Sequence, residues 1–175
     1  MNDPRYPIGQ FHVRKRALLP MDHAEMTGMI ADCPRNMRAA VAGLSEQQLD
    51  TPYRDGGWSV RQVVHHVPDS HLNAYVRLKL ALTEEEPTIK PYDEVRWAEL
   101  EDTRKVPIDV SLSLLDSLHT RFVAVLESMS EDDFKRKLTH PDHGLVDLDW
   151  LLQLYAWHSR HHVAHITSLR ARNGW

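Results

Sequence analysis

Cysteine is almost absent from this sequence, since Cys33 is the only one among 175 residues. An intramolecular disulfide is therefore excluded, and a chain with a single thiol is typical of a reducing compartment, which predicts a cytoplasmic protein. Cys33 is followed by Pro34 within a helical pattern and has no neighbouring base. The pattern favours a buried structural thiol over a reactive one.

Long apolar runs and a charge excess of one sign are also missing. Residues 1–20 carry arginines and prolines without an apolar stretch, so we expect an extended arm over the domain and neither a signal peptide nor a membrane span. The net charge is −4, and the 21 basic and 25 acidic residues are interspersed. This distribution indicates neither nucleic acid nor an anionic membrane as a partner and favours a small molecule.

Glycine is scarce, with 7 in the chain, and the alternation typical of strands is absent. Apolar residues recur at spacings of three and four, which predicts an all-α fold: one domain over residues 1–175 that forms a four-helix bundle. Short helices are expected after Ser45, near residues 94–100 and from Ser130, and a turn at 140–144; no strand is expected. The long helices are predicted at residues 22–44, 59–82, 109–129 and 147–172.

Histidine, in contrast, is abundant, with 12 in the chain. The last predicted helix carries His158, His161, His162 and His165, and its helical phase places His158 and His162 within one apolar stripe. One metal ion could satisfy two such buried rings together, whereas two core histidines would otherwise need several polar partners. The favoured pair is His158 with His162, and His161 with His165 is the second choice.

The second long helix contributes three further histidines. Helical phase places His65 at the surface and leaves His66 and His71 equally suited to face the bundle interior. Pro68 lies in the same helix, where it either bends the helix to orient a ligand or is a tolerated kink. A second apolar stripe on this helix predicts either a dimer seam or packing within the bundle; it consists of Leu72, Val76 and Leu80.

Several long motifs resemble the YfiT-like branch of the DinB superfamily. They are residues 50–66, Asp69-Ser70-His71, residues 90–94, His140-Pro141-Asp142 and residues 157–167. The resemblance covers nearly the whole chain and implies a DinB-like four-helix bundle with short connecting helices, which is usually a homodimer. It further implies one divalent metal ion held by three histidines of two helices, which match His66, His158 and His162, so that His66 is chosen over His71. The sequence departs from its relatives at Val67-Pro68, where Leu-Ala is common, and this concerns the local helix geometry.

The resemblance implies either a metal-dependent hydrolase or a bacillithiol S-transferase. Three imidazoles leave open coordination positions that suit a catalytic site, with zinc favoured and nickel the second choice. Hydrolysis calls for a carboxylate base, and Asp69, one turn from His66, is the candidate. Because a thiolate needs less help than water at neutral pH, transfer of a low-molecular-weight thiol to an electrophile is preferred. A metal-dependent hydrolase is the alternative, followed by a metal-stabilised module that binds without catalysis.

Overall fold

The computed structural model describes residues 3–175, which form eight helices and one small β-hairpin. The four long helices are α1, α3, α6 and α8, and they form the predicted bundle. The elements in chain order are α1 Pro20–Val41, α2 Glu46–Leu49, α3 Val60–Thr83, α4 Glu94–Trp97, α5 Glu101–Lys105, α6 Ile108–Ser128, α7 Glu131–Phe134, β1 Lys137–His140, β2 Gly144–Asp147 and α8 Leu148–Asn173.

The two helices that carry most of the histidines have well-defined ends. At the start of α3 the Ser59 side chain accepts a hydrogen bond from the backbone of Gln62, whose own side chain reaches back to Ser59. Asp147 caps α8 in the same position by accepting from the backbone of Trp150. Gly174, with φ 69°, ends α8 in the left-handed conformation that glycine adopts without strain.

Two apolar clusters occupy opposite ends of the bundle, and buried histidines are distributed between and along them. One cluster takes the N-terminal part of α1 and α8 and the C-terminal part of α3 and α6, around Phe122 and Leu148. The other takes the remaining parts, around Met37, Leu115 and Ile166. In sequence, the buried histidines that lie between the two clusters are His71 of α3 and His161, His162 and His165 of α8. His65 and His66 lie among residues of the second cluster, and His119 lies among residues of the first, so all of them have apolar neighbours.

The hairpin corrects one prediction. The turn at residues 140–144 was predicted, but it joins strands β1 and β2, which pair antiparallel with His140 opposite Gly144. Each strand has only four residues, too few for an alternating pattern to be recognised in the sequence. Helix α5 is also a separate element beyond the single short helix expected near residues 94–100.

The environment of His65 corrects another prediction. His65 was expected at the surface, yet only 6% of it is exposed, and its Nδ1 lies 2.7 Å from Ser111 Oγ. Helices α5 and α6 both pack against α3 and cover this side. Helical phase identifies the face toward the main core but does not reveal that neighbouring elements cover a second face.

The arm before α1 lies over α8, as predicted for residues 1–20, of which residues 1–2 are outside the described part. The backbone N–H of Arg14 donates to Gln153 Oε1 at 2.8 Å, and Trp157 Nε1 donates to the Gly9 carbonyl at 3.2 Å. Pro68 is accommodated within α3, which continues on both sides of it. Among residues 3–175, no helix is both long and apolar enough to cross a membrane.

Candidate metal centre

The structure brings His66, His158 and His162 together, and we call these residues the metal triad. His158 and His162 lie one turn apart on α8, and His66 faces them from α3. The Nε2 atom of His158 is 3.1 Å from Nε2 of His162 and 3.4 Å from Nε2 of His66. One ring nitrogen of each residue therefore faces a common point, and all three atoms lie within 4.8 Å of one another.

These rings are neutral at physiological pH. Burial, followed by the charges of neighbouring histidines, lowers the pKa of His158 and His162 well below the usual value. Burial lowers the pKa of His66 to about 4. Each neutral imidazole carries one N–H donor and one acceptor lone pair, so the partner of one nitrogen determines which role remains for the other.

A chain of hydrogen bonds determines which ring nitrogen of His158 carries the proton. At its far end the carbonyl of Ile30, which can only accept, lies 2.7 Å from Nδ1 of His119, so this nitrogen is the donor. The Nε2 of His119 then accepts from Nδ1 of His71 at 2.8 Å. In turn, Nε2 of His71 accepts from Nδ1 of His158 at 3.1 Å, which leaves Nε2 of His158 as a lone pair. Burial lowers the pKa of His71 well below its usual value and that of His119 to about 4.

A shorter chain acts on His162. The carbonyl of Arg5 lies 3.1 Å from Nε2 of His165, which must donate to it. The Nδ1 of His165 is then an acceptor, 3.4 Å from Nδ1 of His162. His162 therefore carries its proton on Nδ1 and turns the lone pair of Nε2 toward the metal triad.

The two chains leave a pair of acceptors facing each other. Neither His158 Nε2 nor His162 Nε2 carries a proton, although the atoms are 3.1 Å apart. Two buried lone pairs at this distance are unfavourable unless a cation or a hydrogen-bond donor lies between them. Three neutral imidazole nitrogens are also the ligands that zinc and nickel accept, so the residues present fit a divalent ion.

The metal triad lies on the wall of a cavity of about 400 Å³. Ser70 Oγ lies 3.5 Å from His158 Nε2, and the Trp58 ring is 4.6 Å from that of His66. A small molecule could therefore reach the exposed side of the triad. The cavity walls are formed by Trp58, His66, Ser70, Arg77, Pro91, Tyr92, Glu94, His140, Asp142, His143, Leu154, Tyr155, Trp157, His158, His161 and His162.

Asp69 and His161, which were both considered from the sequence, lie outside the metal triad. Asp69 is half-buried and is not among the residues that line the cavity; burial, and then the charge of Asp102, raises its pKa to about 6. His161 stacks on the Trp157 ring at 4.1 Å, and its Nδ1 has no partner within residues 3–175. The structure thus brings no carboxylate of the described residues into the triad.

A second group of potential ligands lies behind the metal triad. It consists of Cys33, His71 and His119, which we call the inner cluster, and its ligand atoms also lie within 4.8 Å of one another. Burial raises the pKa of Cys33 to about 12, so the thiol keeps its proton. His119 was not among the predicted site residues, although a histidine among Leu115, Leu118 and Phe122 on an apolar helix face was the available signal.

Comparisons with known proteins identify the family of this chain. The sequence pattern of the DinB superfamily matches residues 29–166. The chain belongs to the DinB superfamily. A protein from Bacillus cereus, named as a candidate metal-dependent hydrolase, is 55% identical over 175 residues and covers 100% of both chains. A Bacillus anthracis protein with the same description is also 55% identical over 100% of both chains.

Solved structures show the fold. YfiT from Bacillus subtilis, described as a candidate metal-dependent hydrolase with an unusual four-helix bundle topology, superposes with a TM-score of 0.95. Its sequence identity is 46%, and the match covers 98% of each chain. A further four-helix bundle protein is 18% identical with a TM-score of 0.57, over 87% of this chain and 99% of its own, and supports the fold alone.

Proposed function

We propose that this protein is a metal-dependent enzyme that transfers a low-molecular-weight thiol of the bacillithiol type to a small electrophile. His66, His158 and His162 are the proposed ligands of one divalent ion, zinc or, as second choice, nickel. The observation that supports this assignment is the position of the Nε2 atoms of His158 and His162, which lie 3.1 Å apart beside an open cavity and which the two hydrogen-bond chains leave without a proton. A divalent ion bound there would act as a Lewis acid that lowers the pKa of a thiol or a water molecule.

The choice of thiol transfer over hydrolysis depends on the missing base. A hydrolase of this kind uses a carboxylate beside the metal to accept a proton. Among the described residues, the carboxylates on the cavity wall are Glu94 and Asp142, whose side chains are exposed and lie outside the metal triad. A thiol needs no such base because its pKa is already close to neutral.

Two alternative functions are distinguished from thiol transfer by the experiment described below. Hydrolysis is supported by the descriptions of the 55% identical relatives from Bacillus. A metal-stabilised module without catalytic activity would have the same triad but no turnover. The cavity, which is lined by aromatic and polar side chains, supports a small-molecule substrate over the module.

The assembly and location are proposed from the surface and the cysteine content. Leu72 and Val76 are 42% and 48% exposed, so the stripe on α3 is not used for packing within the bundle at these two positions. We propose that this face forms a homodimer interface. The single cysteine supports a cytoplasmic location.

The decisive experiment measures conjugate formation with bacillithiol, cysteine or glutathione and an epoxide or halo-arene. Native protein, metal-free protein and protein reloaded with zinc or nickel are compared, with His158→Ala as the inactive control. We expect conjugation only in the metal-loaded wild type. Hydrolysis of an ester or amide panel without any conjugation would instead assign the hydrolase, and the absence of both activities would leave the binding module.

A further inference from the structure

Arg77 is an unusual buried charge. Only 8% of Arg77 is exposed. Among residues 3–175, and leaving histidines aside, one further charged side chain is buried, that of Asp22, which is 4% exposed. The carboxylate of Asp22 is compensated by Arg14 and by Arg16, whose Nη1 lies 2.6 Å from it. A buried charge of this kind is stable only when an opposite charge or several hydrogen bonds compensate it.

Such compensation is incomplete for Arg77. Its Nη2 donates to the backbone carbonyl of Lys90 at 3.1 Å, and the guanidinium also donates to the neutral hydroxyl of Tyr155. Within residues 3–175 no carboxylate lies within ion-pair distance of Arg77. Arg61, which is also largely shielded, instead contacts Glu46 at 2.5 Å and Asp50 at 2.7 Å. The five N–H groups of the Arg77 guanidinium are therefore mostly available to an anion.

Arg77 lines the same cavity as the metal triad. Arg77 lines this cavity together with Tyr155 and His140, and its charge lowers the pKa of His140 after the larger effect of burial. Ser70 lies on the cavity wall between His66 and Arg77 along α3. A ligand in the cavity could thus contact the metal triad with one group and Arg77 with another.

We infer that Arg77 binds a carboxylate of the substrate, so that the enzyme selects a thiol or an electrophile that carries one. A planar guanidinium forms two parallel hydrogen bonds with a carboxylate, and a buried site strengthens this interaction. The exposed Glu94 and Asp142 line the same cavity but are not paired with Arg77, and they disfavour highly anionic ligands. The inference rests on the proposed function in naming the substrate class.

Binding of reaction products tests the site without turnover. Cysteine and cysteamine, each alkylated with iodoacetate or iodoacetamide, give four thioethers that differ only in the carboxylate of the thiol part or of the electrophile part. Calorimetric titration of the metal-loaded protein with each thioether measures the carboxylate preference of either part. We expect at least one carboxylate to improve binding about tenfold or more, the effect of one charge-assisted hydrogen bond.

Substitutions of Arg77 test whether this residue causes the carboxylate preference. Arg77→Gln should abolish it, Arg77→Lys should retain part of it, and the matched control Arg61→Gln, which lies outside the cavity, should keep it in full. Circular dichroism and metal content verify that each variant is folded and loaded. Equal binding of all four thioethers by the wild type, or an unchanged preference in Arg77→Gln, would overturn the inference.

The two proposals can fail separately. An absence of thiol transfer together with an Arg77-dependent carboxylate preference would overturn the proposed reaction and retain the subsite. Metal-dependent transfer with no preference for any carboxylate would retain the reaction and overturn the subsite.

Discussion

The metal triad and the inner cluster contain similar residues at similar distances, yet their hydrogen bonds differ. Each group has three potential ligands whose atoms lie within 4.8 Å of one another. In the inner cluster all four ring nitrogens of His71 and His119 have partners, and the thiol of Cys33 is protonated. In the metal triad, unprotonated nitrogens of His158 and His162 face each other beside a cavity.

This difference shows that the protons, more than the residue types, distinguish a candidate metal site from its support. His71 and His119 use their lone pairs on other histidines and have none left for an ion. They instead orient His158, as second-layer hydrogen bonds do around metal ligands in general. The comparison therefore predicts one ion per chain and different effects for substitutions in the two groups.

The largest effect is expected for the metal triad. His66→Ala, His158→Ala and His162→Ala should each reduce the metal content of dialysed protein from about one ion per chain to nearly none, because two imidazoles bind weakly. Elemental analysis measures the content. His65→Ala and His161→Ala are the neighbouring controls and should keep the ion; loss of metal in either control, with retention in its partner variant, would refute the ligand assignment.

A smaller effect is expected for the inner cluster. His119→Phe removes the acceptor for His71 and should weaken metal binding about 10–100-fold without changing the stoichiometry. His119→Gln, which retains an acceptor oxygen, should recover part of the loss. Competition with a chromophoric chelator measures affinity, and nitrogen-15 spectra of the metal-free protein report the ring tautomers.

The matched control for the inner cluster is Cys33→Ala. It should leave both affinity and stoichiometry unchanged because the buried thiol is not a ligand. Two ions per wild-type chain, falling to one in Cys33→Ala or His119→Phe, would show that the inner cluster is itself a metal site.

The smallest effect concerns Asp69, which belongs to neither group. Its pKa of about 6 in the folded protein exceeds the value of 3.8 expected when unfolded, so the fold favours the protonated form. The free energy of unfolding should therefore fall as pH rises from about 4 to about 6. Asp69→Asn should remove this loss and stabilise the protein by about 1 kcal/mol at pH 7.5, since solvent screens the half-buried group.

Urea unfolding at pH 4 and pH 7.5 measures this difference. Variant and wild type should be similar at pH 4, and the exposed control Asp32→Asn should show no gain at either pH. Lower stability of Asp69→Asn at pH 7.5, or a loss of metal, would mean that the carboxylate has a role at the site.

The long helices and the histidines of α8 could be predicted because periodicity carries that information. The predicted second helix, residues 59–82, differs from α3 by one residue at each end. The stripe of His158 and His162 followed from the phase of α8 alone. The choice of His66 came from the family resemblance, since His66 and His71 lie on opposite edges of the apolar face of α3 and helical phase alone does not choose between them. In the structure His66 approaches Nε2 of His158, whereas His71 approaches its Nδ1.

Contacts between elements that are distant in the sequence could not be predicted in this way. His71 reaches His119 across 48 positions, and His165 reaches the arm across 160. His65 was placed at the surface because nothing in its own helix indicates that α5 and α6 cover it. Local patterns determine helices and their apolar faces, whereas hydrogen-bond chains depend on how the helices are assembled.

The burial of Cys33 has a practical consequence for the proposed reaction with electrophiles. Reactive small molecules alkylate thiolates, and a protein that handles them risks being inactivated by its own substrate. Cys33 is 1% exposed, and burial raises its pKa to about 12, so the thiol stays protonated at neutral pH. If the proposed reaction is correct, the chain offers an electrophilic substrate no competing thiolate, and modification of its cysteine would not limit its working lifetime.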